Sequence, residues 1–144
     1  AYIQEKGLDK LIMSLKQPVL GICIGLQLMC RSSEEGNAKC MGIFDVDVKK
    51  FDNSNCPSKK IPHMGWNTIS ASTKNALVTK EQDDKYAYFV HSYYAPVCEH
   101  TISQCEYITP FSAALKKDNF YATQFHPEKS GDLGEQILKN FIAL

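Results

Sequence analysis

The stretch from Pro18 to Gln27, Pro-Val-Leu-Gly-Ile-Cys-Ile-Gly-Leu-Gln, constrains the fold more than any other part of the chain. Residues 18–23 are a short apolar run bounded by a proline, the pattern of a strand buried on both faces in a parallel sheet. Upstream, Leu8, Leu11, Ile12 and Leu15 recur at helical spacing, which predicts an amphipathic helix over residues 2–15 that Pro18 brings to a stop. Downstream, residues 25–34 read as a second helix, with Leu26, Leu28 and Met29 apolar and Gly36-Asn37 as its stop signal. Helix, buried strand, helix is the grammar of an open α/β sheet. A parallel strand needs parallel neighbours, and few are visible here. The expectation is an α/β domain with an open mixed or parallel sheet flanked by helices, N-terminally incomplete and lacking a βα segment.

The remainder of the chain reads as strands. Phe44, Val46 and Val48 alternate with Asp45, Asp47 and Lys49, a half-exposed strand, and 52–60 is a polar loop. Residues 66–70 and 86–94 are further strand candidates, and 112–117 with 120–125 form a hairpin around Lys117-Asp118-Asn119. A closing helix over 134–144 places Ile137, Leu138, Phe141 and Ile142 on one face. Without repeats or a linker, the 144 residues fit a single domain.

Charge narrows the choice of partner. Lys+Arg and Asp+Glu are both 16, Arg31 is the lone arginine, and no basic stripe offers a nucleic-acid groove or an anionic-membrane surface. The longest uncharged apolar stretch, 18–30, is too short to cross a bilayer. Six cysteines are too few for a disulfide-stapled miniprotein, so reduced thiols and a cytoplasmic location are expected. No C-x-x-C pair or H-x(3–5)-H spacing suggests zinc, and neither metal nor cofactor is expected.

Two strings carry chemistry. Gly21-Ile22-Cys23-Ile24-Gly25 has the shape of a nucleophile elbow with Cys in place of Ser: small residues flank a strained turn between strand and helix. The amides opening the helix favour thiolate, the attacking form. An ordinary buried strand cysteine is the alternative. A thiol nucleophile needs a base, and the base an orienting group. Gln124-Phe125-His126-Pro127-Glu128 supplies both, because in extended backbone His126 and Glu128 share a side. A surface histidine beside a solvated glutamate is the alternative there.

Together these strings resemble the two signatures of the class I (triad) glutamine amidotransferases. Pro62-His63-Met64-Gly65-Trp66-Asn67, Tyr88-Phe89-Val90-His91-Ser92-Tyr93-Tyr94 and the extension Lys129-Ser130 are similar to the glutaminase branch that serves imidazole glycerol phosphate synthase in histidine biosynthesis. The resemblance covers the whole chain in order. It implies a flavodoxin-like sheet and hydrolysis of glutamine by Cys23, His126 and Glu128 through a thioester. Gln27, Glu35, Ser92 and Tyr93 are implied to bind glutamine, with Glu35 suited to its α-ammonium. His63, Met64, Trp66, Asn67 and Lys129 are implied to meet a (β/α)8-barrel cyclase as the second subunit of a heterodimer. Ile24 and Leu26 depart from the family's usual Leu and Met, both conserving volume. The family's Gly-rich loop, which helps form the oxyanion hole, belongs to the segment expected to be absent. An amidotransferase feeding surface-sugar or purine synthesis, and a silent docking fragment, are the alternative functions.

Overall fold

A computed structural model describes residues 7–71 and 74–144 of the chain. Its elements in order are α1 (Leu8–Ser14), β1 (Val19–Ile22), α2 (Ile24–Met29), β2 (Cys30–Ser33), β3 (Ala38–Lys39), β4 (Phe44–Lys50), β5 (His63–Ala71), β6 (Lys85–His91), β7 (Tyr93–Tyr94), β8 (Thr101–Tyr107), β9 (Thr109–Lys117), β10 (Phe120–Thr123) and α3 (Gly131–Ile142). A six-stranded sheet runs β1-β10-β9-β8-β5-β6, and a four-stranded one β3-β2-β4-β7. Only β1–β10 and β2–β4 pair in parallel among the described ladders, so the sheet is mixed.

The apolar run does form a parallel strand, but among the described residues it ends the sheet and is half-buried throughout, not buried on both faces. Its neighbour is β10, a hundred residues further on, with Val19 opposite Phe120 and Ile22 opposite Thr123. The hairpin expected around 117–119 is present: Asp118 at φ 54° turns β9 into β10, and Phe120 pairs with Lys117. Beyond β10 the chain runs back to the opposite edge of the sheet, where His126 N–H donates to the Tyr88 carbonyl at 3.0 Å. The larger sheet thus curls over a core containing Phe51, Ile69, Phe89, Phe111, Phe125 and Ile137. A second core between the sheets gathers Leu26, Met29, Phe44, Val48 and Leu115.

Three expectations change. The helix read over 25–34 stops at Met29, and Cys30–Ser33 is strand β2 on β4. The Arg31 guanidinium forks onto Asp47 (2.9 and 2.6 Å) and reaches Asp45 (2.6 Å), and the Ser32 hydroxyl also donates to Asp47. This pairing across strands is unavailable to a helix. The N-terminal helix is seen as Leu8–Ser14 and residues 2–6 lie outside the described ones; Leu8 and Leu11 are exposed, while Ile12 packs on the core. In α3, Leu133, Gly134 and Ile137 point inward, but Ile142 is 81% exposed.

α3 seats closely on the turn after β10. A Cβ at Gly134 would overlap the Pro127 carbonyl, a backbone atom that cannot swing aside. Gly25, by contrast, faces open space. Gly134→Ala is therefore expected to destabilise by about 1–3 kcal/mol, the usual cost of overpacking. Gly25→Ala, inside a helix, should leave stability level or raise it slightly. Thermal unfolding of the two variants checks this, and equal midpoints would contradict the close approach.

Candidate active site

Cys23 sits between β1 and α2 at φ 55°, ψ −105°, a positive φ rarely adopted by a residue with a side chain. The parallel ladder holds it there, because its N–H donates to Thr123 O at 2.8 Å. Of the two flanking glycines, Gly21 is the one space requires: a Cβ on it would lie 2.6 Å from Met29 Sδ and 3.0 Å from the Gly25 backbone. The thiol donates to the Val90 carbonyl (3.8 Å) and receives the Gln124 Nε2–H (3.6 Å). Burial pushes the Cys23 thiol above its ordinary value; the Glu128 charge adds to this, against the Ile24 backbone N–H, the Gln124 amide and Lys129. The first amide of α2 does favour thiolate, as expected, but burial outweighs it. At rest the sulfur is a thiol that needs a base.

His126 N–H is held by the Tyr88 carbonyl, and Ser130 Oγ bridges the two residues, accepting from Tyr88 N–H (2.9 Å) and donating to His126 O (2.6 Å). The sulfur meets Val90 and the His126 backbone meets Tyr88, two residues apart on β6, about 7 Å along a strand. His126 Nδ1–H donates to Glu128 Oε2 at 2.9 Å, which leaves Nε2 as the basic nitrogen. No hydrogen bond joins the sulfur and this imidazole among the described residues. Residues 127–129 form a 3-10 turn, not the extended backbone expected, with Pro127 at its first position; the turn still brings the two side chains together. Burial is the largest single influence on Glu128 and works against its ionisation, yet the hydrogen bond from His126, its own backbone N–H and the charges of His126 and Lys129 together hold the carboxyl below its ordinary value.

Cys23, Ile24, Gln27, Glu35, Val90, His91, Ser92 and Tyr93 line a cavity of about 250 Å³. It opens beyond the carboxyl ends of the parallel pair β1–β10, where α/β sheets bind ligands. Glu35 is exposed at its rim and Ser92 half-buried. Gln27, expected to hold substrate, is 5% exposed, and its Nε2 is committed inward, to Tyr93 O (3.0 Å) and Gln124 Oε1 (3.3 Å). Gln124, wholly buried, is the residue that sequence reasoning missed. Its only signal was a polar side chain beside Phe125 in a string that had to be interior.

The expected docking residues divide by strand alternation. Met64 and Trp66 point outward, 63% and 55% exposed, with Tyr88 packed edge-on against Trp66. Lys129 is exposed and Asn67 half-buried, donating to Glu106 O at 3.0 Å. His63 is a correction. It faces inward at 4% exposure, sandwiched between Tyr107 and Phe89, because it precedes Met64 by one position and so falls on the opposite face. Burial lowers His63 to about 4 and His91 likewise to about 4, so both are neutral near pH 7.

The chain matches the family model described as Glutamine amidotransferase class-I over residues 2–144. It is 60% identical over 146 residues to the imidazole glycerol phosphate synthase subunit HisH of Bacteroides fragilis, an alignment covering 99% of this chain and 72% of that protein. The subunit of the same name from Escherichia coli K12 is 49% identical over 143 residues, covering 99% and 71%. Among solved structures, a glutamine amidotransferase from Thermotoga maritima superposes with a TM-score of 0.64 at 15% identity, over 97% of this chain and 53% of that one.

Two outcomes are expected. Gln124→Leu removes the one side-chain donor to the sulfur among the described residues, so the midpoint of Cys23 alkylation by iodoacetamide should move to higher pH; an unmoved midpoint would contradict the contact. For His63 and His91 the folded values lie below the ordinary 6.5. Between pH 6.5 and about 4 the unfolded chain therefore binds more protons, and stability falls as pH is lowered through that window. Urea midpoints measured across it should drop, and should drop less in His91→Asn.

Proposed function

Because this chain belongs to the class-I glutamine amidotransferase family, we propose that it is the glutaminase subunit of an imidazole glycerol phosphate synthase, releasing ammonia from glutamine for histidine biosynthesis. The carrying observation is the shared edge of β6: the Cys23 sulfur on the Val90 carbonyl, and the His126–Glu128 pair anchored two residues away at Tyr88.

Nε2 of His126 takes the Cys23 proton as the sulfur attacks the side-chain carboxamide of glutamine. The Ile24 N–H, next to the sulfur, receives the developing oxyanion. The C–N bond then breaks, the proton passes from His126 to the departing nitrogen, and a glutamyl thioester remains. Water deprotonated by His126 attacks the thioester and frees glutamate and the thiol. Glu128 keeps His126 in the Nδ1–H tautomer and stabilises its charged form. Glu35, at the cavity rim, pairs with the α-ammonium of the substrate, and Ser92 and Tyr93 supply its walls.

A (β/α)8-barrel cyclase docks on the outer face of β5 and β6, with Met64 and Trp66 at the centre and Lys129 at the rim, whereas Asn67 shares the inner face with His63. That face is the outside of the same strands whose edge carries the sulfur and imidazole, so ammonia formed there has a short path to the partner. The setting is cytoplasmic. No helix among the described residues is long and apolar enough to cross a membrane. The 60% identity to a protein named as such a subunit supports this reading. Cys23→Ala is expected to abolish glutamine hydrolysis while the partner's ammonia-dependent reaction continues; loss of both reactions together would overturn the assignment.

A further inference from the structure

A chain of buried and partly buried hydrogen bonds runs from the inner face of β5 to the nucleophile, and one group sets its direction. Tyr93 O is a backbone carbonyl that can only accept, and it receives two bonds: His91 Nδ1 at 2.8 Å and Gln27 Nε2 at 3.0 Å. On the first side, His91 must carry its proton on Nδ1, so in the neutral ring Nε2 is bare. His63 Nδ1, 3.0 Å from that nitrogen, must then carry the next proton. His63 Nε2 is left to accept from Asn67 Nδ2 at 3.4 Å. On the other side, Gln27 presents its NH₂ to Tyr93 O, and the same nitrogen donates to Gln124 Oε1. With its oxygen occupied, Gln124 turns its own NH₂ to the Cys23 sulfur. Were that amide reversed, a carbonyl oxygen would face the sulfur and oppose the thiolate.

We propose that His63 and His91 are positioning residues for the nucleophile: as a neutral pair of Nδ1–H tautomers they anchor the Tyr93 carbonyl, and through Gln27 they fix which end of the Gln124 amide meets Cys23. The inference rests on Cys23 being the nucleophile proposed above, and it gives Gln27 an orienting role in addition to its place in the cavity wall. The surroundings suit neutrality. Phe51, Phe89 and Phe111 pack on both rings and Tyr107 stacks on His63. The charged or titratable groups that act on the pair are Lys59 on His63 and His126 on His91, both of which oppose a positive ring.

The test has a spectroscopic and a kinetic arm, both on the natural protein with its partner. ¹⁵N-histidine spectra at pH 7 are expected to show two neutral rings protonated at Nδ1, assigned by their loss in His63→Phe and His91→Asn. Nε2-protonated or charged rings would overturn the proposal. In the kinetic arm, His91→Leu removes the donor to Tyr93, and kcat for glutamine hydrolysis should fall about 10- to 100-fold, as misplacement of a reacting group costs, with little change in KM. His91→Asn restores a donor near the Nδ1 position and should recover most of that loss. Equal kcat in the two variants would overturn the positioning role. The rate of Cys23 alkylation is read in parallel. A wild-type protein without glutaminase activity sinks the proposed function, while tautomers and alkylation still decide the relay.

Discussion

The parallel pairing of β1 with β10 is the constraint on which the rest of the structure depends. Four backbone positions are in register, and the Cys23 N–H continues the ladder onto Thr123 O just past the strand end. That bond holds a non-glycine residue at positive φ, a conformation that costs on the order of 1–3 kcal/mol and persists only where its surroundings over-determine it. The same pairing starts the two chemical strings from adjacent strand ends, although about a hundred residues separate them. Closing so long a loop has an entropic cost that grows only slowly with length. The hairpin β9–β10 and the two cores repay it.

Curling of the sheet completes the site. Residues 124–126 leave β10 and meet β6, the strand at the far edge, so an edge that would otherwise stand open is partly capped by His126. Ser130 fastens the junction through its two hydrogen bonds, and Gly134 lets α3 close down on the Pro127 turn. Active-site geometry and fold closure are here one set of contacts.

Buried polar groups must find partners or cost free energy. The interior meets this demand with a directed chain, Asn67 to His63 to His91 to Tyr93, joined at the carbonyl by Gln27 and Gln124. Pairing the two histidines as neutral rings avoids the desolvation of a charge. It also ties the inner face of β5 to the sulfur, while the outer face of that strand shows Met64 and Trp66.

Local pattern was enough for the elements whose own residues dictate them. The alternation at Phe44–Val48, the turn at Asp118-Asn119, and the apolar run ending in a glycine-flanked cysteine were all legible, because sterics and periodicity act over a few positions. Both chemical strings were legible for the same reason. The strand at Cys30–Ser33 was not, since its backbone pairs with β4 and buries Cys30 and Ser33 there, a tertiary contact that overrides a helical composition. His63 was misread as a surface residue because its string indicates a role but not a face; register with His91 on β6 decides that. Gln124 escaped notice because its importance lies in which end of an amide points at sulfur, a matter settled by a carbonyl some thirty residues away. The sequence by itself determined which residues could do chemistry and several of the segments that pair as strands; only the tertiary structure decided the remaining strands and which side chains meet, because hydrogen-bond direction and burial are properties of neighbours brought together by the fold.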